Sequence, residues 1–419
     1  MAIIPTGIER VMLEFITHGL LQKKVKCVYF SQYTKKYLEF PDETIFAIYN
    51  SDLPKIQHLS NIDVFRTNLL RICVRYRHKY TKIILTALKY FIALPFYKFS
   101  WYIFIKKQSY KPAIFYTSDN ILFLCAPCIL RNFDFIKSLK AKYGLCLTML
   151  IHDIMPITLD IANLPSASLK LETDFFIRKG SEIIDKFLVT TEYWKKILNQ
   201  YLQNINRGNA IPIDIIKLGF SGKSNINENK HENIKHKIIQ GSFVLTVGTI
   251  EVRKNHITLV RAWNKLVKNK KLANHKLVII GKWGWKVEEL KEYLATNPEL
   301  NSHIIILNNV KDQELDTLYR HCSFTVFPSI AEGYGLPIVE SIYHGKLCIT
   351  SNTTAMPEVG GIGADYIKDP FDIEELAKKM EFYLYNPELL AKRNIEVKQM
   401  KLTTWQEASD ELYHILENK

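Results

Sequence analysis

The chain has 419 residues, 47% of them apolar and 23% charged, and carries a formal net charge of +14. That length exceeds one ordinary core and suggests two or three domains, while the apolar content is that of an ordinary globular protein. Seven cysteines, at positions 27, 73, 125, 128, 146, 322 and 348, are odd in number and scattered. This is the usage of a reducing compartment and excludes a disulfide framework.

The opening residues Met1-Ala-Ile-Ile-Pro5 show no basic segment leading into a long apolar run, so a signal peptide is not expected and the chain reads as cytoplasmic. Val25–Phe30 is the first expected strand. The window 64–118 then holds four Arg, seven Lys and no acidic residue, so it supplies most of the net charge. Within it, Ile83–Ile105 is apolar enough to suggest a membrane span. Lys89 and Lys98 would lie inside that span and Pro95 near its middle, so spanning is not expected. Basic residues interleaved with aromatic ones fit contact with an anionic membrane surface better than a basic helical pair packed in its own domain. No nucleic-acid-binding motif accompanies the charge, so nucleic acid is not an expected partner.

Ala113–Tyr116, Cys146–Ile151, Lys186–Thr190 and Ile213–Leu218 read as further strands. Cys125-Ala-Pro-Cys128 has the spacing of a redox or metal pair. It has no second pair at metal spacing and follows the apolar run Ile121–Leu124, so it reads as a buried strand end. The polar stretch Ser221–Lys235 reads as a linker.

Beyond it the pattern is regular. Strands are expected at Phe243–Gly248, Lys276–Gly281, His303–Leu307, Phe324–Phe327 and Leu347–Thr350. Helices are expected at Ile257–Val267, Val287–Leu294, Asp312–Tyr319, with Asp312 as N-cap, and Pro337–His344. Strands alternating with helices mean a parallel sheet covered on both faces, with ligands beyond the carboxyl ends of its strands.

The stretch Glu332-Gly-Tyr-Gly-Leu-Pro-Ile-Val-Glu340 follows one of these strands. Pro337 suits the first helical position, where a backbone N–H would be unpaired anyway. Free N–H groups at such a helix start can hold a phosphate, and Gly333 and Gly335 allow close approach. Glu332 then lies in the loop before the helix and Glu340 about one turn inside it. Carboxylates accept hydrogen bonds from hydroxyls, so the pair suits a ligand with hydroxyls at both ends and phosphates between them, as in a nucleotide-sugar. Arg253 and Lys254, after the strand ending at Gly248, can neutralise a diphosphate. Alone they would equally suit a solvated basic turn.

Gly248–His256, Gly281-Lys-Trp-Gly-Trp285, Phe327-Pro-Ser329, Glu332–Glu340, Gly345-Lys346 and Pro357-Glu-Val-Gly-Gly361 occur in an order that resembles the donor-binding domain of glycosyltransferase family 4. The likeness is strong from Gly241 onward. It is thinner through Thr6-Gly-Ile-Glu-Arg-Val11, His152-Asp-Ile-Met-Pro156 and Leu188-Val-Thr-Thr-Glu192. Bacterial mannosyltransferase-like members that build surface polysaccharides are the nearest variant.

The resemblance implies an α/β fold of the GT-B class, with two Rossmann-like domains and an interdomain cleft. Residues 1–220 would form the acceptor-side domain, without its first strand. Residues 221–235 would be the linker, 236–402 the nucleotide-sugar domain, and 403–419 a helix crossing back. It further implies a retaining transfer of a hexose, mannose from GDP-mannose being the leading candidate, to a lipid-linked or polysaccharide glycan. The basic window 64–118 suggests that such an acceptor is lipid-linked and that the protein is peripheral on the inner membrane face. Glu332 would meet the donor sugar, Glu340 the ribose hydroxyls, and Arg253 and Lys254 the leaving diphosphate, helped by backbone near Gly333, Tyr334, Gly335 and Leu336. His152 would reach the sugar from the opposite domain with Asp153 beside it, and Gly7 would border the phosphates. No metal or other cofactor is expected, because cations and helix ends take the leaving charge, and no Asp-x-Asp motif stands near a strand end. Two other readings stand beside this one: a catalytically inactive, membrane-associated partner in a polysaccharide assembly complex, and another GT-B enzyme such as a nucleotide-sugar epimerase. Glu358 is assigned no chemistry, Trp283 and Trp285 could line a pocket or pack in the core, and Tyr193-Trp194 reads as packing.

Overall fold

The computed structural model describes residues 7–23, 26, 28–31, 36–39, 113, 114, 116, 120–123, 133–160, 162, 164–207, 211–220, 242–272 and 274–417. Apart from 113, 114 and 116, the basic window 64–118 lies outside these residues. So do Cys125–Cys128 and the linker Ser221–Lys235. The chain divides into two compact units, Met1–Tyr116 and Thr117–Lys419.

In the first unit, helix α1 (Gly7–Leu21) precedes β1 (Val28–Ser31), which pairs antiparallel with β2 (Lys36–Glu39), Val28 opposite Glu39. The strand expected from Val25 thus begins at Val28. Ala113, Ile114 and Tyr116 carry no strand, and Ile114 and Tyr116 are 68% and 63% exposed. An apolar run without a ladder partner or a buried face does not make a strand.

The second unit holds two parallel sheets. The smaller contains β3 (Asn120–Phe123), β4 (Cys146–Ile151), β5 (Lys186–Val189) and β6 (Ile213–Ile215), hydrogen-bonded in that order. Helices α2 (Phe133–Tyr143), α3 (Met155–Thr158), α4 (Ser168–Gly180) and α5 (Glu192–Asn204) connect them. β4 and β5 are almost wholly buried, as expected for continuous apolar runs in a sheet covered on both faces.

The larger sheet follows. Its parts are β7 (Phe243–Val247), α6 (His256–Lys268), β8 (Lys276–Ile280), α7 (Glu288–Thr296), β9 (Ile304–Leu307), α8 (Asp312–His321), β10 (Thr325–Phe327), α9 (Leu336–Tyr343), β11 (Cys348–Ser351), α10 (Met356–Gly360) and β12 (Ala364–Ile367). The strand order is β12-β11-β10-β7-β8-β9. Chain order therefore reverses between β7 and β10, which lie side by side, and the crevice beyond their carboxyl ends is where such sheets bind ligands. The main core fills the space between this sheet and its helices, around Trp263, Phe324, Ile338 and Met380. Helices α11 (Ile373–Tyr385) and α12 (Pro387–Lys398) close it, and α13 (Trp405–Glu417) ends the described chain. Phe220 N–H donates to Thr403 O, which ties the end of the smaller sheet's segment to the start of α13.

Two helix starts differ from expectation. Gly335 is the N-cap of α9, in the left-handed region at φ 102°, so Pro337 is the second helical residue and not the first. A proline remains harmless there, because N–H groups of the first turn have no intrahelical partner. Lys311, not Asp312, is the N-cap of α8; its N–H donates to the Glu314 carboxylate at 2.8 Å, which displaces Asp312 into the first turn.

Candidate active site

The loop after β7 and the loop after β10 meet at the sheet's switch point. After Gly248 the chain makes a single tight turn, Val252–Lys254, and then Asn255 adopts the left-handed conformation at φ 57° before α6 begins. Asn tolerates that region better than most residues. Its buried Nδ2 donates to Pro328 O at 3.1 Å and also to Pro370 O, while Thr258 Oγ1 donates to its Oδ1 at 2.7 Å. Asn255 therefore fixes the Arg253-Lys254 turn to the strand-end loop that leads to Glu332.

Glu332 is 6% exposed. Lys254 Nζ lies 2.6 Å from its Oε1, and Arg253 Nη1 lies 3.0 Å from its Oε2. Arg253 also donates to Ala331 O at 2.7 Å and pairs with Glu251 at 2.8 Å. Lys254 stands over the Phe327 ring, 4.7 Å from its centroid. Burial opposes the Glu332 charge, but Arg253 and Lys254 outweigh it and lower the carboxyl to about 2. Burial, with Arg253 beside it, lowers Lys254 against the pull of Glu332; burial likewise opposes the Arg253 charge, but Glu332 and Glu251 raise it. Behind them His256 is buried with neither ring nitrogen hydrogen-bonded, and burial lowers it to about 3, so it is neutral.

The smaller sheet reaches the same place. Trp194 Nε1 donates to Glu332 O at 3.1 Å, and Thr190 Oγ1 donates to Gly333 O at 3.1 Å. Asp153 follows β4 and accepts from Met155 N–H at 3.0 Å. Burial raises its pKa, against the Met155 hydrogen bond and Arg253. A Cβ at Gly333 would sit 2.8 Å from Asp153 Oδ2 and 3.1 Å from His152 O, so any larger residue there would have to displace one of the two loops. Tyr334 OH donates to Leu218 O at 3.3 Å. Glu358 accepts from Glu192 N–H at 2.9 Å and Tyr193 N–H at 3.2 Å, and so caps α5 from the other sheet.

The structure thus brings Glu332, Arg253, Lys254, Gly333, Asp153 and the His152 backbone together. Gly335 and Leu336 begin α9. Glu340 lies one turn into it and accepts from Tyr319 OH at 2.8 Å. Gly7 opens α1 in the first unit. Among the described residues, no cluster of three or more His, Cys, Asp or Glu could hold a metal ion, and no helix is long and apolar enough to cross a membrane.

Several residues at the site were not singled out by sequence reasoning. Glu251 and Asn255 sit inside a quoted motif, but a lone Glu in a turn does not announce its pairing with Arg253, nor a lone Asn its bonds to the distant Pro328 and Pro370 carbonyls. Trp194 is buried packing, as expected, and its indole N–H is also a hydrogen-bond donor to the site. Trp283 is 36% exposed with Lys291 over its ring, so it is not a core residue.

Residues 228–400 match the family described as glycosyl transferases group 1. That segment is thus similar to the glycosyltransferases of this family, and the chain is built on the GT-B fold. A 145-residue stretch is 34% identical to the serotype-specific mannosyltransferase WbdA of Escherichia coli, covering 34% of this chain and 17% of that one. The O-antigen chain mannosyltransferase B of Escherichia coli is 32% identical over 143 residues, covering 34% of this chain and 37% of the relative. The chain thus spans well under half the length of these curated relatives. Among solved structures, Anabaena HepE in complex with UDP and glucose superposes with a TM-score of 0.54 at 14% identity, covering 72% of this chain and 78% of that one. Sucrose-phosphate synthase from Thermosynechococcus elongatus gives 0.53 at 18%, covering 70% and 77%. At these identities the superpositions establish the fold.

Proposed function

We propose that the protein is a retaining glycosyltransferase that moves a hexose, with mannose from GDP-mannose the leading candidate, to a growing lipid-linked or polysaccharide glycan. The observation that carries this reading is the pairing of Arg253 and Lys254 with one buried carboxylate, Glu332, at the switch point of a parallel sheet. The mannosyltransferase relatives support the choice of sugar and glycan.

In the reaction, the bond from the anomeric carbon to the diphosphate oxygen breaks and its electron pair leaves with the diphosphate. The acceptor hydroxyl oxygen bonds the anomeric carbon on the same face, and its proton passes to the departing diphosphate oxygen. Charge grows on the diphosphate, and preorganised cations aimed at such charge are commonly the largest catalytic contribution. Arg253 and Lys254 supply them without a metal. Glu332 stays ionised because those cations hold it so, and an ion-paired carboxylate suits recognition of sugar hydroxyls better than nucleophilic attack. The incoming diphosphate competes with Glu332 for both cations, which couples donor binding to release of the carboxylate toward the sugar. The basic window 64–118 would hold the protein on an anionic membrane surface, beside a lipid-linked acceptor.

The test is release of nucleoside diphosphate from a panel of nucleotide-sugars in the presence of a lipid-linked glycan acceptor. Release of GDP from GDP-mannose is expected. A folded protein that turns over no nucleotide-sugar overturns the reading.

A further inference from the structure

We propose that Tyr319 is a positioning residue for donor recognition, which sets the Glu340 carboxylate for the ribose hydroxyls. This rests on the reading of Glu340 as the ribose-binding residue. Tyr319 is 2% exposed, and its ring packs in a small core with Phe243, Leu245 and Leu318 behind β7 and β8. Its hydroxyl donates to Glu340 Oε2 at 2.8 Å. The other helix holds the ring as well: His344 stacks on it, with ring centroids 4.9 Å apart and planes 10° from parallel. His344 in turn bonds Glu340 O through Nδ1 at 2.7 Å and Asp316 Oδ1 through Nε2 at 3.0 Å. Asp316 and Tyr319 lie on α8, while Glu340 and His344 lie at either end of the last turn of α9, so the four residues lock the two helices together.

A half-buried glutamate on a helix has several rotamers, and choosing one costs side-chain entropy when a ligand binds. A phenol fixed by core packing and stacking lowers that cost beforehand, because its hydroxyl already holds the carboxylate at Oε2. Hydrogen bonds to charged groups are also stronger than neutral ones, so the donor holds Glu340 firmly. Tyr319 touches no ligand in this scheme. Its effect is read through Glu340, as discrimination between ribose and a ribose without hydroxyls.

The experiment measures Kd by calorimetry for GDP and for UDP, each against its 2′,3′-dideoxy form. The wild-type protein is expected to prefer the ribose form of the nucleotide it binds by about ten-fold or more. Tyr319→Phe removes one oxygen and should cut that preference to about three-fold or less, with Kd for the dideoxy form little changed. His344→Gln, which keeps the phenol but removes the stacked ring, should give a smaller loss of preference. In a Glu340→Gln background, Tyr319→Phe should have little further effect. A wild-type preference that survives unchanged in Tyr319→Phe overturns this proposal alone. A wild-type protein that binds neither nucleotide, or binds ribose and dideoxyribose forms equally, overturns the Glu340 reading and this proposal with it.

Discussion

Trp194 donates its indole N–H to the carbonyl oxygen of Glu332 at 3.1 Å, so the peptide carrying the candidate sugar-recognising carboxylate is held from the opposite sheet. Thr190 holds the next peptide in the same way, and Asp153 closes against Gly333. The donor-side loop is therefore shaped by residues that precede it by about 140 to 180 positions. The Arg253 and Lys254 cations come from one sheet, and the placing of the Glu332 carboxylate comes from both.

Gly333→Ala should destabilise the protein by about 1–3 kcal/mol, because the added Cβ overlaps Asp153 and the His152 carbonyl. Asp153→Ala in the same chain should recover part of that loss. Urea unfolding of the two single variants and the double variant measures the coupling, and strict additivity would show that the loops do not meet.

Arg253→Ala and Lys254→Ala should each lower the transfer rate by about 10²-fold or more. Steady-state release of nucleoside diphosphate is the measurement. A change confined to KM would place both cations in donor binding alone.

Glu332→Gln bears on stability as well as activity. Its carboxyl is lowered from 4.5 to about 2 in the folded chain, so its ionisation stabilises the fold above pH 4.5, and that stabilisation is lost as the pH falls toward 2. The Gln variant lacks this group, so its stability should fall less over that interval than the wild type's. At neutral pH it should be less stable by about 3–5 kcal/mol, since two buried cations lose their shared partner. Thermal unfolding across the pH range checks both signs.

Glu358→Ala should cost about 0.5–2 kcal/mol, because it removes the acceptor for two N–H groups at the start of α5. Glu358→Gln, which keeps one acceptor oxygen, should cost less. Equal losses would mean that the carboxylate's charge, and not its geometry, holds the cap.

The larger sheet was legible in the sequence because its strands are short apolar runs separated by helices of clear period, and each strand ends near a glycine or a polar turn. The Arg253–Lys254 and Glu332–Glu340 segments were legible as turns at strand ends, and the structure brings Arg253, Lys254 and Glu332 together there. The partners that fix them were not. Asn255, Thr190, Trp194 and Glu358 act through tertiary contacts that no local pattern records, and their residue types suit packing or capping equally well. The start of α9 was misplaced by one residue, because Gly335 takes the left-handed turn and the helix begins before its proline. Ile114 and Tyr116 showed that an apolar run alone does not specify a strand.

The central claim is that this chain transfers a sugar from a nucleotide-sugar with its anomeric configuration kept. Proton NMR of the product formed from GDP-mannose and a lipid-linked glycan acceptor tests it most directly. An α-mannoside formed together with one GDP, and lost in the Arg253→Ala variant, is the expected result. A β-mannoside, or GDP-mannose recovered intact with every acceptor while the protein remains folded, would contradict it.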